Sequence, residues 1–227
     1  MPPPALAEPN LRQVEALIAQ RTNEFRAGQS LQGLEGNGSL DRAAREFADY
    51  MARTDRYGHH ADGTAPADRA RARGYDHCLV SENISYQLTS GDFTTHDLAR
   101  RYVEGWKASP GHRGNMVDPA VVDIGVGVAR SERTGRYYGV QMFGRPRARS
   151  IEFRVTNLAR MQVRYRVGGE AFTLGQRQER VHTLCVAEEV VFAGLGKEEG
   201  RKIRPSDGDR LVVEGDKRPT IRQEAGS

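Results

Sequence analysis

Three short stretches of the chain concentrate residue types that do chemistry. The first is Gly58-His59-His60 followed by Asp62-Gly63, the second is Ser81-Glu82-Asn83, and the third runs from Trp106 through Ser109-Pro110-Gly111-His112 to Asn115. Single histidines beside a helix end ordinarily serve as capping or solvated groups. A glutamate inside an apolar strand is harder to dismiss, because a buried carboxylate must find donors, a cation or a proton. His59 and His112 are the residues that supply such compensation to Glu82 on this reading. Two imidazoles and a carboxylate match a divalent transition-metal site with open positions, zinc being the first choice. They equally match a general acid/base set, since histidine titrates near neutral pH. Ser81 and Ser109 are possible nucleophiles beside a histidine, but a Ser-Pro-Gly turn reads as loop geometry, and no serine hydrolase is assigned.

The elements that must position these residues are legible in the pattern. Asn10 with Gln13 three residues on is a capping-box signal, and Leu11, Val14, Leu17, Ile18 and Phe25 form one helical stripe that Gly28 ends. A Gly-rich loop from Gln29 to Gly38 leads to Ser39, read as the cap of a second helix with Leu40, Ala43, Ala44, Phe47 and Met51 inward, stopped by Gly58. Ala65-Pro66 opens a short helix ending at Gly74. Leu79 to Tyr86 reads as a strand holding Glu82, and a fourth helix runs from about Thr95 to Ala108 before Ser109-Pro110-Gly111 breaks it. Ile124, Val126 and Val128 alternate with Gly125 and Gly127, a strand face that lets another backbone come close, and Tyr137 to Phe143 is its return strand.

After Arg145-Pro146-Arg147 the period changes to two, in Ile151-Phe153-Val155 and Val163-Tyr165-Val167, with Gly168-Gly169 as a hairpin turn before Ala171 to Leu174. Further strands are expected at Val181 to Val186, Val190 to Ala193 and Leu211 to Val213, giving a small all-β domain, a sandwich or open barrel, with a frayed polar tail. The predicted organisation is therefore a leader at 1–9, an α/β unit at 10–146, the β domain at 147–222 and the tail at 223–227. Residues 1–146 balance acids and bases, so the net +4 of this 227-residue chain falls after the linker. Arg160, Arg164 and Arg166 are read as sharing one strand face, either solvated or a contact for an anionic cell-envelope polymer. Exposed aromatics do not interleave with them, which argues against nucleic acid. No apolar run is long enough for a transmembrane helix. Cys78 and Cys185 are one bridge or two buried thiols.

Residues of about 10–146 resemble the CAP superfamily, the cysteine-rich secretory, antigen 5 and pathogenesis-related proteins, in its bacterial SCP-like branch. The resemblance is carried by Tyr57-Gly58-His59, Ser81-Glu82-Asn83-Ile84, Trp106 through Ser109-Pro110-Gly111-His112-Arg113 with Asn115, and Ile124-Gly125-Val126-Gly127-Val128, in family order. It implies an α+β fold, an α-β-α sandwich followed here by the small β domain. It also implies a cleft with two histidines and usually two acids. His59, Glu82 and His112 match three of those positions, with His60 as the rival of His59. The second acid has no clear match; Glu104 is nearby on the same helix at a different angle from Trp106. The resemblance implies a binding module for a divalent metal or small polar ligand, or a hydrolase using the same cleft. It further implies an extracellular or periplasmic protein. On that reading Ala5-Leu6-Ala7 is the end of a signal peptide missing from this chain, and Cys78–Cys185 is a bridge in an oxidising compartment.

Overall fold

The computed structural model describes residues 8–89 and 93–226. Its contacts divide the chain into two units, meeting between Arg147 and Ala148. The first unit begins with α1 (Leu11–Ala27), whose N-cap Asn10 accepts a hydrogen bond from the Gln13 N–H. A two-residue strand β1 (Glu35–Gly36) follows inside the stretch read as loop. Next come α2 (Gly38–Thr54), α3 (Pro66–Ala72), β2 (His77–Gln87), α4 (Thr95–Ala108), α5 (Pro110–Met116), β3 (Asp123–Arg130) and β4 (Tyr137–Pro146).

Several local expectations are corrected. The cap of α2 is Asn37, whose side chain accepts from the N–H groups of Ser39 and Leu40, so the helix starts before Ser39. It stops at Thr54 rather than at Gly58. Asp55 adopts a left-handed conformation (φ 52°) while its carboxylate accepts from Thr134 and Tyr138 and pairs with Arg133, a tertiary anchor that ends the helix early. Pro110 does more than break α4: at the first position of α5 it begins a new helix that carries His112.

The sheet has the order β1-β3-β4-β2, with β1 parallel to β3 and the other pairs antiparallel. One face packs on α1 and α4 through Val14, Ile18, Leu98, Tyr102, Trp106, Val126 and Phe143. The other packs on α2 and α3 through Leu40, Phe47, Met51, Ala70, Ile84, Val140 and Met142. This is the three-layer α-β-α arrangement. The alternation in β3 explains how α2 lies so close: a Cβ at Gly125 or Gly127 would overlap the backbone of Leu40 or Ala44.

Because β1 reaches only Asp123 and Ile124, the outer edge of β3 is completed by side chains. The Val126 N–H donates to Asp41 of α2 (3.0 Å) and the Val128 N–H to Glu15 of α1 (3.1 Å). Burial pushes the Asp41 carboxyl above its ordinary range and that of Glu15 up to about 7, although Arg45 and Arg12 stand at the second Glu15 oxygen. A carboxyl with a raised folded pKa favours the folded state fully below its unfolded value, and the benefit is lost as pH rises through 7. Urea unfolding followed by Trp106, which lies buried in this unit, should therefore show Glu15 lowering stability by about 3 kcal/mol between pH 4.5 and 8. The Glu15→Gln variant should show a correspondingly flatter profile. Identical slopes for the two proteins would contradict this.

The second unit comprises β5 (Ile151–Asn157), β6 (Val163–Val167), β7 (Glu170–Leu174), β8 (Glu179–Leu184), β9 (Val190–Ala193), β10 (Lys202–Ile203), β11 (Arg210–Glu214) and β12 (Thr220–Glu224). They form two four-stranded sheets, β10-β9-β6-β7 and β12-β11-β5-β8, around Phe153, Val155, Tyr165, Phe192, Leu211 and Val213. The tail expected to fray is paired instead: Ile221 is buried, and Arg222 to Glu224 lie opposite β11. Arg164 and Arg166 do point outward from β6, but Arg160 lies before that strand and pairs with Asp216. Both cysteines of the chain, Cys78 and Cys185, are disulfide-bonded.

Candidate functional site

β2 is an edge strand of the first sheet, and the residues singled out in the sequence gather around it. Glu82 projects to the α2/α3 side, where its side chain is only 1% exposed. Its Oε1 lies 2.8 Å from Nδ1 of His59, which comes from the loop after α2 and is 44% exposed. Its Oε2 accepts from Nη2 of Arg69 at 2.8 Å. Facing that guanidinium, Glu82 acts as acceptor, so Nδ1 of His59 carries a proton and Nε2 is the ring nitrogen left for a ligand.

Arg69 is the cation that sequence reasoning missed; it had assigned the compensation of Glu82 to the histidines. Buried in the centre of α3, it also bonds Asp62, the Thr64 carbonyl and the His59 carbonyl, and its guanidinium carbon lies 3.6 Å from the Phe47 ring centroid. One side chain thus staples the 58–64 loop to the strand that holds Glu82. The available signal was the requirement that a buried carboxylate meet a cation, together with Pro66 starting a helix whose fourth residue is Arg69.

On the opposite side of β2, Asn83 fixes α5. Its Nδ2 donates to the His112 carbonyl (3.0 Å) and to Gln141 Oε1 (3.1 Å), while its Oδ1 accepts from Asn115 at 2.8 Å. Gln141 in turn donates to Thr22, which donates to the Ile18 carbonyl of α1. Asn115 also reaches the Glu82 carbonyl (3.2 Å), so it belongs to the scaffold of His112. Burial first, and then the charge of nearby His59, hold the His112 imidazole below its ordinary pKa. At neutral pH it is an uncharged base with a lone pair to offer.

The remaining candidates stand apart. His60 is exposed and contributes its carbonyl to the turn at Gly63. Glu104 is exposed on α4 with its carboxylate on Lys107 at 2.9 Å, and no contact among the described residues ties it to the cleft. Ser81 Oγ is buried without a hydrogen-bond partner, and Ser109 makes no side-chain cap bond to α5. Neither hydroxyl bonds a histidine. Among the described residues no group of three or more His, Cys, Asp or Glu side chains is arranged to hold a metal ion. The reason is visible at Glu82: both oxygens are engaged, one by His59 and one by a guanidinium that adds positive charge where a cation would sit. The expected three-residue set reduces to two imidazoles with a carboxylate behind one of them.

Comparison with known proteins agrees with this architecture. The protein YkwD of Bacillus subtilis, described as uncharacterized, is 28% identical over 118 residues, covering 52% of this chain; the chain spans 43% of that relative's length. An outer surface protein of Borrelia burgdorferi superposes with a TM-score of 0.51 at 21% identity, covering 58% of this chain and 91% of that one. An extracellular SCP-domain protein of Bacillus anthracis gives a TM-score of 0.51 at 22% identity, covering 59% and 41% respectively. These two likenesses establish the fold. Residues 19–143 match the profile described as CAP, the cysteine-rich secretory protein family, and with over half of its length so matched the chain belongs to that family.

Proposed function

We propose that the protein is an extracellular or periplasmic binding module whose ligand meets His59 and His112 across the edge of β2. The observation that carries this reading is the pairing of a half-exposed histidine with a fully buried, Arg69-matched carboxylate. Such a partner sets the tautomer and ring orientation of His59 and leaves Nε2 directed at the ligand. His112, held neutral, presents a second nitrogen. Both are suited to a polar group that donates a hydrogen bond, and to a divalent transition ion that takes its remaining ligands from water. The hydrolase alternative is less well supported: both Glu82 oxygens are occupied, which leaves no carboxylate oxygen open to abstract a proton. Among the described residues no helix is long and apolar enough to cross a membrane.

Zinc is a convenient probe of the paired imidazoles. In calorimetric titration at pH 7.5 it should bind about one equivalent, weakly for want of a third protein ligand, and the heat should vanish in the His59→Ala, His112→Ala double variant. Protons compete with the ion for imidazole nitrogen, so binding should weaken when the titration is repeated at lower pH. Heats that are unchanged in the double variant would place the ion elsewhere and remove the support for this cleft.

A further inference from the structure

The ligand-bearing edge of β2 has a hydrogen-bonding pattern of its own. Successive residues of an antiparallel edge strand turn their backbone groups alternately toward the neighbour and away from it. Two side chains reveal which residues turn outward: Asn115 reaches the Glu82 carbonyl and the Tyr57 hydroxyl reaches the Ile84 carbonyl, both from outside the sheet. Glu82, Ile84 and Tyr86 therefore face away from β4, and Asn83, Ser85 and Gln87 pair with it. No partner for the Ile84 or Tyr86 N–H is found among the described residues. At Glu82 the outward side is sealed, since Asn115 is itself held by Asn83. From Ile84 onward the outward carbonyls meet only hydroxyls among the described residues, Tyr57 at Ile84 and Ser85 at Tyr86 (3.5 Å), and Tyr57 is 49% exposed.

Large exposed hydrophobic side chains collect along the same edge: Tyr57, Tyr86 at 43% and Leu88 at 52%. Tyr57 and Tyr86 meet edge to face with ring centroids 5.3 Å apart, and the Arg136 guanidinium lies 4.9 Å from the Tyr86 centroid. At the Tyr86 end, Arg133 and Arg136 face the single carboxylate of Asp55, which leaves one positive charge in excess there.

We infer that the outer edge of β2 from Ile84 to Leu88 accepts an extended acidic peptide as an added strand, with one end of the peptide directed at the His59–His112 pair. Main-chain pairing with Ile84 and Tyr86 supplies affinity, the tyrosines and Leu88 receive alternate apolar side chains, and Arg136 receives a carboxylate. Tyr57 is the placeholder: its hydroxyl occupies the carbonyl that an incoming N–H would take. The inference rests on the cleft being a binding site, but it does not need a metal there.

The test uses the full chain and a fluorescein-labelled heptapeptide alternating valine with glutamate. Saturable binding below about 100 μM is expected, with hydrogen exchange of the Ile84 and Tyr86 amides slowed at least tenfold. A copy N-methylated along its pairing edge, and a copy with lysine for glutamate, should each bind at least tenfold more weakly. Tyr86→Pro deletes an outward N–H without touching the pairing to β4, and should abolish binding, whereas Tyr86→Ala should retain it within severalfold. The His59→Ala, His112→Ala variant should keep the peptide within severalfold while losing zinc, so that failure of the edge and failure of the imidazole pair read out separately. No saturable binding up to 1 mM, binding without protection of Ile84 and Tyr86, or equal binding of the N-methylated copy would each overturn the inference.

Discussion

Replacing Arg69 by leucine should destabilise the first unit by about 3–5 kcal/mol, the range for removing one partner of a buried ion pair. The wild-type guanidinium is buried, bonds Glu82, Asp62 and two carbonyls, and lies on the Phe47 ring. Leucine restores the apolar contact with Phe47 but leaves Glu82 buried beside His59 alone. Arg69→Lys should fall between, since an ammonium keeps the charge without the planar fork that spans Glu82, Asp62 and the loop carbonyls. The measurement is urea unfolding followed by Trp106 fluorescence, and a loss below about 1 kcal/mol for the leucine variant would show that Arg69 is dispensable. Adding Glu82→Gln to Arg69→Leu should recover part of the loss, because the cost lies chiefly in the unmatched carboxylate.

The second large effect is steric. A methyl group at Gly127 would overlap backbone atoms of Ala44 and Arg45, and backbone has no rotatable group with which to yield. Gly127→Ala must lift α2 from the sheet, separating Leu40, Phe47 and Met51 from Val140 and Met142. The expected cost exceeds about 3 kcal/mol, and failure to fold is the natural extreme. Gly105→Ala is the matched control: it is exposed in α4 with nothing within 4 Å of the added Cβ, and should gain up to about 1 kcal/mol from helix propensity. Equal, small effects at the two glycines would mean that the α2–β3 approach is looser than described.

The elements that sequence made legible are those with a strong period. The stripes of α1, α2 and α4 and the alternation of β3 survive in the structure because a helix or strand buries one side and the residue types record it. The contact of His59 with Glu82 was legible for a different reason: both residues stand beside unusual neighbours. What escaped notice was long-range. Arg69 sits in Asp68-Arg69-Ala70-Arg71, which reads as a solvated helix, and only the tertiary position of Glu82 turns one of those arginines inward. Asp55 ends α2 through Thr134 and Tyr138, far along the chain. Two-residue strands such as β1 leave no period at all. Glu104 failed on geometry: two residues from buried Trp106 is a turn of roughly 200°, which places it on the solvent side of α4.

The first sheet is closed on one side and open on the other. Along β3, the carboxylates of Asp41 and Glu15 occupy the N–H groups that a neighbouring strand would need. Along β2, the corresponding groups at Ile84 and Tyr86 face outward. A sheet with two open margins can hand strands from copy to copy and lengthen into a fibre. With one margin sealed by the molecule's own helices, any segment added at β2 finishes the sheet, and even two copies meeting edge to edge would saturate each other as a closed pair. The caps on β3 thereby allow the protein to expose backbone along β2 without becoming a template for polymerisation.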